Sequence, residues 1–476
     1  MNSGLIFFHC NRLPKAKEQF NWKIWKFRRY IVTVMSMLGF FNTYTTNLSM
    51  SVAIVAMTQK VNVILVNGTI VEKQEFDWNS KEQGLILSSV FYGCIWTQFI
   101  GGILAARFGG HVLFGVGVGV GSILMLVSPL AAKQGVIPLV ITRILLGLFD
   151  GLVFPSIQDV YAHWVPIYER TTITGIVHSG CAIGTFTSFL VSGLLAQYLG
   201  WESIFYLFGG IGCVWFIIWM IYIKRDPASD PRISPEERAY IECNLENLSD
   251  KKDLRTPWKA IFSSSAVIAI TVVNFCDTWC SIIFQAEIPT FLNDVLKYDL
   301  GQTGIIAAAP YLIYIITVYL VSPLSDFIRS RNILTTQQVR KIFIASGFLV
   351  TACLLSLVPN LNSATAVSTS LIIAIGLTAV TRVTYYSNIL DFAPNYASVI
   401  MGISFTIAVI PGVVGPSIVG FLVQNGSKDE WKIVFYIAAG FCALGATVFG
   451  IFGKGKVQTW AQCSETQDRR IDRAIN

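Results

Sequence analysis

The sequence has few charged residues for its length. Asp, Glu, Lys and Arg make up 13% of its 476 residues, about half of the roughly 25% that soluble domains carry. Hydrophobic residues make up 53% of the chain. A soluble protein of this size would need a far more polar surface, so the composition predicts an integral membrane protein.

The sequence also lacks the motifs of metalloproteins and enzymes. Its ten cysteines form no CxxC pair, and its four histidines form no paired motif, so we expect neither a metal site nor another cofactor. No nucleophile and base stand out at a recognisable spacing, which argues against a membrane enzyme. The segment 1–29 contains no small-residue cleavage site after a long apolar run, so we do not expect a cleaved signal peptide.

Long apolar runs are abundant instead. A membrane-crossing helix needs about 20 mostly apolar residues, and twelve segments of the sequence meet this requirement. The predicted crossing segments are 30–58, 84–105, 111–132, 136–161, 171–196, 201–223, 264–292, 302–323, 339–358, 364–387, 397–422 and 431–453. A polar segment separates the first six from the last six. It contains a short predicted helix with Ser234 as its N-cap and Pro235 in its first turn.

This pattern predicts an all-α membrane protein with two halves of six helices each. The predicted parts are a cytoplasmic N-terminal segment 1–29, a first half 30–223, a cytoplasmic linker 224–262, a second half 263–453 and a cytoplasmic tail 454–476. With this orientation, 26 Lys and Arg residues fall in cytoplasmic segments and seven in outer loops. Because cytoplasmic loops carry an excess of Lys and Arg, the net charge of +7 reflects orientation rather than a nucleic-acid partner.

Two residues on the predicted outer side are candidates for a specific role. Asn67 begins the sequon Asn-Gly-Thr in the longest outer loop, which predicts a glycosylation site. Glu287 stands near the outer end of the seventh crossing segment, two residues before Pro289. It has two interpretations, as a gate residue or as part of a helix end that water reaches.

Two tight basic turns indicate that the halves are repeats of each other. "GGILAARFGG" (101–110) follows the second crossing segment, and "VSPLSDFIRS" (321–330) follows the eighth. Such turns recur in the major facilitator superfamily, where they latch the halves, although either turn alone is also an ordinary positively charged loop. Parallel repeats place a transporter's substrate site at the interface of the halves. The predicted latch residues are Arg107, Asp159, Glu169, Arg170, Asp326 and Arg329.

An arginine and an aspartate stand within the fourth crossing segment, in "RILLGLFDGLVFPSIQD" (143–159). A charge in hydrocarbon costs at least about 2.5–3.5 kcal/mol, so such residues point to function. Arg143 and Asp150 share a helix face about 10.5 Å apart, too far for a tight direct pair. Asp150 either takes up a coupling proton or fixes helix packing. Arg143 either binds a substrate carboxylate or only neutralises Asp150.

Several stretches resemble the anion/phosphate cotransporter family, which includes sialin and the vesicular glutamate transporters. They are "FDWNSKEQGLILSSVFYGCIWTQFIGGILAARFGG" (76–110), "GLFDGLVFPS" (147–156), "LTTQQVRKIF" (334–343), "LDFAPNYASVIMGIS" (390–404) and "IPGVVGPSIVG" (410–420). The resemblance implies a major facilitator fold with twelve transmembrane helices in two six-helix halves. It also implies secondary active transport of an organic anion or phosphate by alternating access, driven by protons, sodium or membrane potential.

The sequence departs from this family at charged positions. An arginine that often clamps the substrate in the first crossing segment corresponds to Asn47, and one in the seventh corresponds to Asp277. The family's span-four arginine is retained as Arg143, whereas its glutamate corresponds to Asp150 and a span-five tyrosine to His178. Little net positive charge is left for an anion. A monoanion, or a zwitterion such as an amino acid, is therefore an alternative to a dianion.

We predict a substrate site and coupling groups at the middle of the bundle. The predicted substrate-binding residues are Arg143, Asn47, Tyr44, His178 and Arg382, and the predicted proton- or ion-coupling residues are Asp150, Asp277 and His178. Either Asp277 and Arg382 form a direct ion pair between the seventh and tenth segments, or Arg382 is a displaced substrate clamp. His178 carries a proton or packs within the bundle. Tyr44 and Asn47 contact substrate or hydrogen-bond other helices.

The predicted function is secondary transport of a small organic anion or inorganic phosphate. An amino-acid or zwitterion transporter of the same fold is the first alternative, and a non-transporting membrane sensor is the second. The expected partners are a small anionic substrate, a coupling H⁺ or Na⁺ and the lipid bilayer, with the protein as a monomer and no nucleic acid bound. The expected location is the plasma membrane or a lysosomal or vesicular membrane.

Overall fold

A computed structural model describes residues 27–58, 60–64, 70–245, 256–286, 291–292, 295–296, 300–424 and 426–461. The predicted glycosylation site Asn67 and the predicted gate residue Glu287 lie outside these residues. The described part of the chain is almost entirely helical, as the apolar runs predicted.

The first half consists of seven helices that make six crossings. They are α1 (Arg28–Thr58), α2 (Ser80–Phe108), α3 (Gly110–Gln134), α4 (Val136–Asp150), α5 (Val153–Trp164), α6 (Arg170–Tyr198) and α7 (Glu202–Tyr222). Helices α4 and α5 form one crossing that two turn residues, Gly151 and Leu152, interrupt. An antiparallel hairpin of β1 (Lys60–Ile64) and β2 (Ile70–Gln74) joins α1 to α2, and the apolar periodicity did not predict it.

Two short helices lie in the described part of the linker, α8 (Pro235–Cys243) and α9 (Trp258–Ser263). Ser234 caps α8 as predicted, since its hydroxyl oxygen accepts a hydrogen bond from the Glu237 amide. Helix α8 packs on the start of α1, where the Glu237 carboxylate accepts from the amides of Arg28 and Arg29 at 2.8 and 3.1 Å. A carboxylate at a helix N-terminus satisfies free amides and favours the helix dipole, so the linker fixes the beginning of α1.

The second half repeats the arrangement of the first. Its helices are α10 (Ser265–Ala286), α11 (Leu300–Ser330), α12 (Thr336–Leu357), α13 (Ala364–Phe392), α14 (Ala397–Ala408), α15 (Ile410–Leu422) and α16 (Lys428–Phe452). Helices α14 and α15 form one crossing that Val409 interrupts. Capping boxes at Thr335 and Ser427 begin α12 and α16, so local sequence signals set these helix starts.

The described chain crosses the membrane twelve times. Eleven of its helical segments are long and apolar enough by composition. Helix α1 has the length, at 31 residues, but its Thr, Asn and Ser residues make it more polar than the others. Because α1 packs along α6 and α7 inside the first half, we count it as the remaining crossing.

The helix pairs of the two halves correspond to each other. In the first half α1 packs on α6, α2 on α4, and α3 on α7. The helices at the same places in the second half make the same pairs, α10 with α14, α11 with α13, and α12 with α16. Between the halves, α2 packs on α14 and α6 packs on α11, which again are equivalent pairs. This is the packing that a parallel repeat with a central interface predicts.

Candidate functional site

Asp150 lies at the break between α4 and α5 and faces the first two crossings. Its Oδ2 accepts a hydrogen bond from the Asn47 side-chain amide at 3.1 Å, and the Cys94 thiol lies 3.5 Å away. Both partners are neutral. Asp150 and Arg143 make no ion pair within the described part of the chain, in agreement with their predicted separation. The carboxylate is therefore held by hydrogen bonds that do not balance its charge.

Arg143 is a buried arginine without a counter-ion in contact. It is 3% exposed, and its Nε has no hydrogen-bond partner among the described residues. No other described residue makes a hydrogen bond or ion pair with its guanidinium. A buried charge normally has a partner, because its desolvation is otherwise uncompensated. Arg143 is therefore an exception to this rule within the described part of the first half.

Asp277 of α10 and Arg382 of α13 form the predicted direct ion pair. The Asp277 Oδ2 lies 2.6 Å from the Arg382 Nη2 and 2.8 Å from its Nε, and Arg382 also donates to the Ser281 hydroxyl. The hydroxyl of Tyr385 bridges the Asn274 side-chain oxygen at 2.9 Å and the Asp277 Oδ2 at 3.4 Å. Within the second half, the charge of Arg382 is thus balanced by the chain itself.

A small cavity of about 30 Å³ lies between the halves beside Arg382. Tyr44 of α1 and Thr185 of α6 line it from the first half, while Ser281, Tyr314 and Arg382 line it from the second. This volume is room for about one water molecule. The predicted residues Tyr44 and Arg382 therefore come together at the interface, in a state too tightly packed to hold an organic substrate.

His178 lies in an aromatic cluster that joins the halves. The members of the aromatic cluster are Phe40, Phe154, His178, Tyr386 and Phe405. The His178 ring stacks on Tyr386 of the other half at 4.1 Å between centroids, and Phe154 stacks on Phe405 at 4.5 Å. The His178 Nδ1 contacts the Thr174 carbonyl oxygen at 2.7 Å, so Nδ1 carries the proton of the neutral ring. Of the two alternatives for His178, this geometry favours packing within the bundle over carrying a proton.

Asp391, at the end of α13, is the centre of an ion-pair network between the halves. Its carboxylate lies 3.0 Å from the Arg170 Nη1, 3.2 Å from the Arg329 Nη1 and 2.7 Å from the Arg340 Nε. Arg170 belongs to the first half and the other residues to the second. Asp391 is 3% exposed, so these pairs are screened little by solvent.

Asp326 of α11 supplies a second link between the halves. Its two carboxylate oxygens accept hydrogen bonds from the amides of Thr171 and Thr172 at 3.2 and 2.7 Å. These amides belong to the first turn of α6, so a side chain of one half caps a helix of the other. We call Arg170, Asp326, Arg329, Arg340 and Asp391 the latch.

The contacts identified for the remaining predicted latch residues lie in the first half and the linker. Asp159 accepts from the Gly110 amide at 2.8 Å, which fixes the start of α3. Glu169 lies 3.1 Å from the Arg29 Nε and accepts from the Tyr240 hydroxyl, so it holds the linker. Arg107 is exposed and lies over the Phe108 ring at 5.6 Å. It makes no hydrogen bond or ion pair with the second half among the described residues, and its latch role stays a prediction from the sequence.

Two latch residues, Asp391 and Arg340, were missed by the prediction from sequence. Both belong to stretches already singled out, "LDFAPNYASVIMGIS" and "LTTQQVRKIF". A charged residue at each end of an apolar segment was the available signal, although it does not reveal which residues pair.

The latch closes the bundle at one end. The backbone of Gln458, beyond α16, donates to the Phe392 carbonyl oxygen there, and Arg29 contacts Glu169 there, so both ends of the described chain lie at this side. The positive-charge bias predicts that this side faces the cytoplasm. The structure is therefore closed at the predicted cytoplasmic side.

The described residues include no group of three or more His, Cys, Asp or Glu side chains arranged to hold a metal ion.

The chain is similar to known proteins in both sequence and structure. Residues 30–416 match the sequence profile of the Major Facilitator Superfamily. Human vesicular glutamate transporter 2 is 34% identical over 447 residues, covering 93% of this chain and 77% of that protein. Vesicular glutamate transporter 1 of Xenopus laevis is 33% identical, with 93% and 78% covered.

Solved transporter structures share the fold. The fucose:proton symporter FucP of E. coli superposes with a TM-score of 0.63 at 11% identity, covering 88% of this chain and 98% of FucP. The proton:xylose symporter XylE superposes with a TM-score of 0.67 at 13% identity, covering 90% and 97%. At these identities the likeness establishes the fold alone.

Sequence match, fold and latch geometry agree. The chain is a multi-pass membrane protein and a secondary transporter, not an enzyme. It belongs to the Major Facilitator Superfamily and, within it, to the anion/phosphate cotransporter family that contains the vesicular glutamate transporters.

Proposed function

We propose that the protein moves a small organic monoanion across a membrane by alternating access, with Arg143 receiving the substrate's charge. The observation that carries this proposal is the unpartnered guanidinium of Arg143 in the buried interior of the first half. A guanidinium presents a rigid fork of donors that matches a carboxylate. The relatives are named for glutamate, which also carries carboxylates.

The charge balance of the site favours one net negative charge on the substrate. Arg382, the other central arginine, is already paired with Asp277 at 2.6 Å. Arg143 is then the one central cation, within the described residues, without a counter-ion in contact. A dianion would leave a second charge uncompensated in a site with little water.

A zwitterionic amino acid is the second candidate. Asp150 supports it, because its carboxylate is held only by the neutral groups of Asn47 and Cys94 and could receive an ammonium group. In this alternative Arg143 and Asp150 bind the two charges of one substrate.

Uptake by the purified full-length protein in proteoliposomes tests the function. Lactate, glutamate, alanine and phosphate would be supplied under an imposed proton gradient, sodium gradient or membrane potential. We expect gradient-driven uptake of lactate in preference to phosphate, and its loss in Arg143→Gln. Arg107→Gln, which removes an exposed arginine, is the matched control and should transport normally. If the folded protein moves none of these solutes under any gradient, the proposal is wrong.

Coupling is assigned to Asp150. A buried carboxylate without a cation in contact can take up a proton when its side of the membrane opens and release it on the other. We expect Asp150→Asn to abolish gradient-driven uptake while substrate exchange across the membrane persists. Cys94→Ala removes a contact of Asp150 but leaves the carboxylate, so it should retain coupling. Equal gradient-driven rates in Asp150→Asn and wild type would exclude this role.

The proposed setting is a vesicular membrane, with both termini in the cytoplasm. Support comes from the distribution of Lys and Arg and from the vesicular relatives. The latch then closes the cytoplasmic side.

A further inference from the structure

A second cavity lies in the second half, at the end opposite to the latch. Its volume is about 160 Å³. Its walls come from the chain just after α10, the end of α12, the beginning of α13 and the first two turns of α16. The latch residues Arg340 and Asp391 stand at the other ends of α12 and α13. We call this space the outer cavity, and it is separate from the central cavity beside Arg382.

The body of the outer cavity is apolar and aromatic. Phe291, Trp431 and Phe435 line it, with the Phe291 ring 5.3 Å from Trp431 and 4.9 Å from Phe435, both edge-on. Val358 and Val367 add aliphatic surface. An apolar cavity of about this size accommodates a benzene molecule.

Two hydrogen-bond donors stand at the outer cavity without a negative partner. The indole Nε1 of Trp431 is buried and has no hydrogen-bond partner among the described residues. Lys428 also lines the cavity; its ammonium donates to the Leu361 carbonyl oxygen at 2.9 Å and lies 3.5 Å from the Asn362 side-chain oxygen. These partners are neutral, so the charge of Lys428 is not balanced by them.

The donors share one face of α16. Lys428, Trp431, Lys432 and Phe435 stand at positions i, i+3, i+4 and i+7, and all four line the cavity. Lys432 is paired with Asp429 at 2.7 Å, whereas Lys428 is exposed and forms no ion pair within 4.0 Å among the described residues. A buried indole N–H without an acceptor costs free energy, which a bound acceptor would recover.

We propose that the outer cavity binds a small amphipathic monoanion, a carboxylate carried on a benzene-sized apolar group. The ring occupies the space between Phe291, Trp431 and Phe435. The carboxylate accepts from the Trp431 N–H and faces the Lys428 ammonium. The site is distinct from the transport site, since it lies wholly within the second half and at the outer end of its helices.

Benzoate is the probe that tests this proposal. The detergent-purified full-length protein would be heated with increasing benzoate, and the apparent Kd taken from the rise in the unfolding temperature. Acetate has the charge without the ring, and benzyl alcohol has the ring without the charge. We expect benzoate to stabilise the protein at concentrations at which acetate and benzyl alcohol do not.

Two variants remove the recognition groups separately. Trp431→Phe keeps an aromatic ring but removes the N–H, and Lys428→Gln removes the charge at the helix end. We expect each to weaken benzoate binding about tenfold, as the loss of a hydrogen bond to a charged group does. Trp258→Phe, a tryptophan change on α9 where the ring stacks on Phe262, is the matched control and should bind benzoate as wild type does.

Arg143→Gln distinguishes the outer cavity from the transport site. We expect this variant to lose transport and keep its response to benzoate. If Arg143→Gln abolishes the response, or if Trp431→Phe and Lys428→Gln both bind benzoate with wild-type affinity, the proposal is overturned.

Discussion

Arg143 and Arg382 are both central arginines, and they differ in what neutralises them. Arg382 is held by Asp277, Ser281 and the rings around it, whereas the Arg143 guanidinium has no partner among the described side chains. The chain itself therefore neutralises Arg382 but not Arg143.

The Asp277–Arg382 pair can be tested by exchanging its charges. Breaking a buried pair by removing one partner costs about 3–5 kcal/mol. We therefore expect Asp277→Arg and Arg382→Asp each to lower uptake at least about tenfold, with a lower unfolding temperature. The double variant, in which the two charges are exchanged, should recover most of the uptake and most of the unfolding temperature. Uptake and thermal unfolding in the four proteins are the measurements.

Ser281→Ala is the control for this exchange. It removes an uncharged contact of Arg382 and should leave uptake close to wild type. A double exchange that is no better than the worse single variant would show that the pair has a role beyond mutual neutralisation.

At the level of single residues, the sequence identified the charged positions but only part of their pairing. An ionisable residue within an apolar run is visible directly, which is why Arg143, Asp150, Asp277 and Arg382 could be named. The Asp277–Arg382 pair was one of two alternatives that the sequence left open, the other being Arg382 as a displaced substrate clamp. The missing partner of Arg143 could not be predicted, because it depends on which faces of other helices meet.

The helices approach most closely where glycines replace larger side chains. Gly402 of α14 faces α2 across the interface of the halves, and an added Cβ there would lie 2.6 Å from the Gln98 carbonyl oxygen. At Gly102 of α2 an added Cβ would lie 2.5 Å from the Ser398 carbonyl oxygen. These distances are much shorter than the van der Waals contact distance between a Cβ and a backbone oxygen atom. The two glycines therefore allow α2 and α14 to touch through their backbones.

We expect Gly402→Val to separate α2 from α14 and to lower uptake at least about tenfold, because packed interfaces do not accommodate added methyl groups freely. Proteoliposome uptake and thermal unfolding would be compared with those of wild type. Gly440→Val is the matched control, since no heavy atom lies within 4 Å of an added Cβ at that position. Normal transport by Gly402→Val would mean that this close approach is not needed.

The sequence predicted the crossing helices well and the interruptions poorly. Apolar length is a strong signal, so the twelve segments were found with small errors at their ends. The break after Asp150 and the hairpin of β1 and β2 were not foreseen. Gly151 and Leu152 keep helical backbone angles. Pro155, in the first turn of α5, has no amide hydrogen to donate to the Gly151 carbonyl oxygen, so this proline was the available sequence signal for the break.

The described ion pair between the two halves lies at the predicted cytoplasmic side. The latch contributes buried ion pairs there, and the aromatic cluster packs the two halves together next to it. Its geometry could not be read from the sequence, because Arg170, Arg340 and Asp391 are far apart in the chain. Which charges pair is decided by how two separately packed halves meet, and this is a property of the whole molecule.

We expect Asp391→Asn to open this side, because it leaves three buried guanidinium groups without their shared counter-ion. Ser387, fully buried next to Thr174 of the other half, is a suitable reporter position. A cysteine introduced by Ser387→Cys should react with a maleimide applied from the side of the termini at least about tenfold faster when Asp391→Asn is also present.

Asp230→Asn is the matched control for this experiment. Asp230 forms a buried pair with Arg28 at 2.7 Å, but that pair joins the linker to the first half and does not cross the interface. We expect Asp230→Asn to leave the rate of maleimide labelling at position 387 unchanged. An unchanged rate in Asp391→Asn as well would show that the latch does not control closure.

The cap that Asp326 places on α6 links closure to the stability of that helix. When the halves separate at this side, the amides of Thr171 and Thr172 lose their acceptor, and the first turn of α6 is left free to fray. Hydrogen exchange at these two amides therefore reports how often the transporter opens toward the side of its termini. A substrate that favours that opening would speed their exchange, even though it binds at a distance from them.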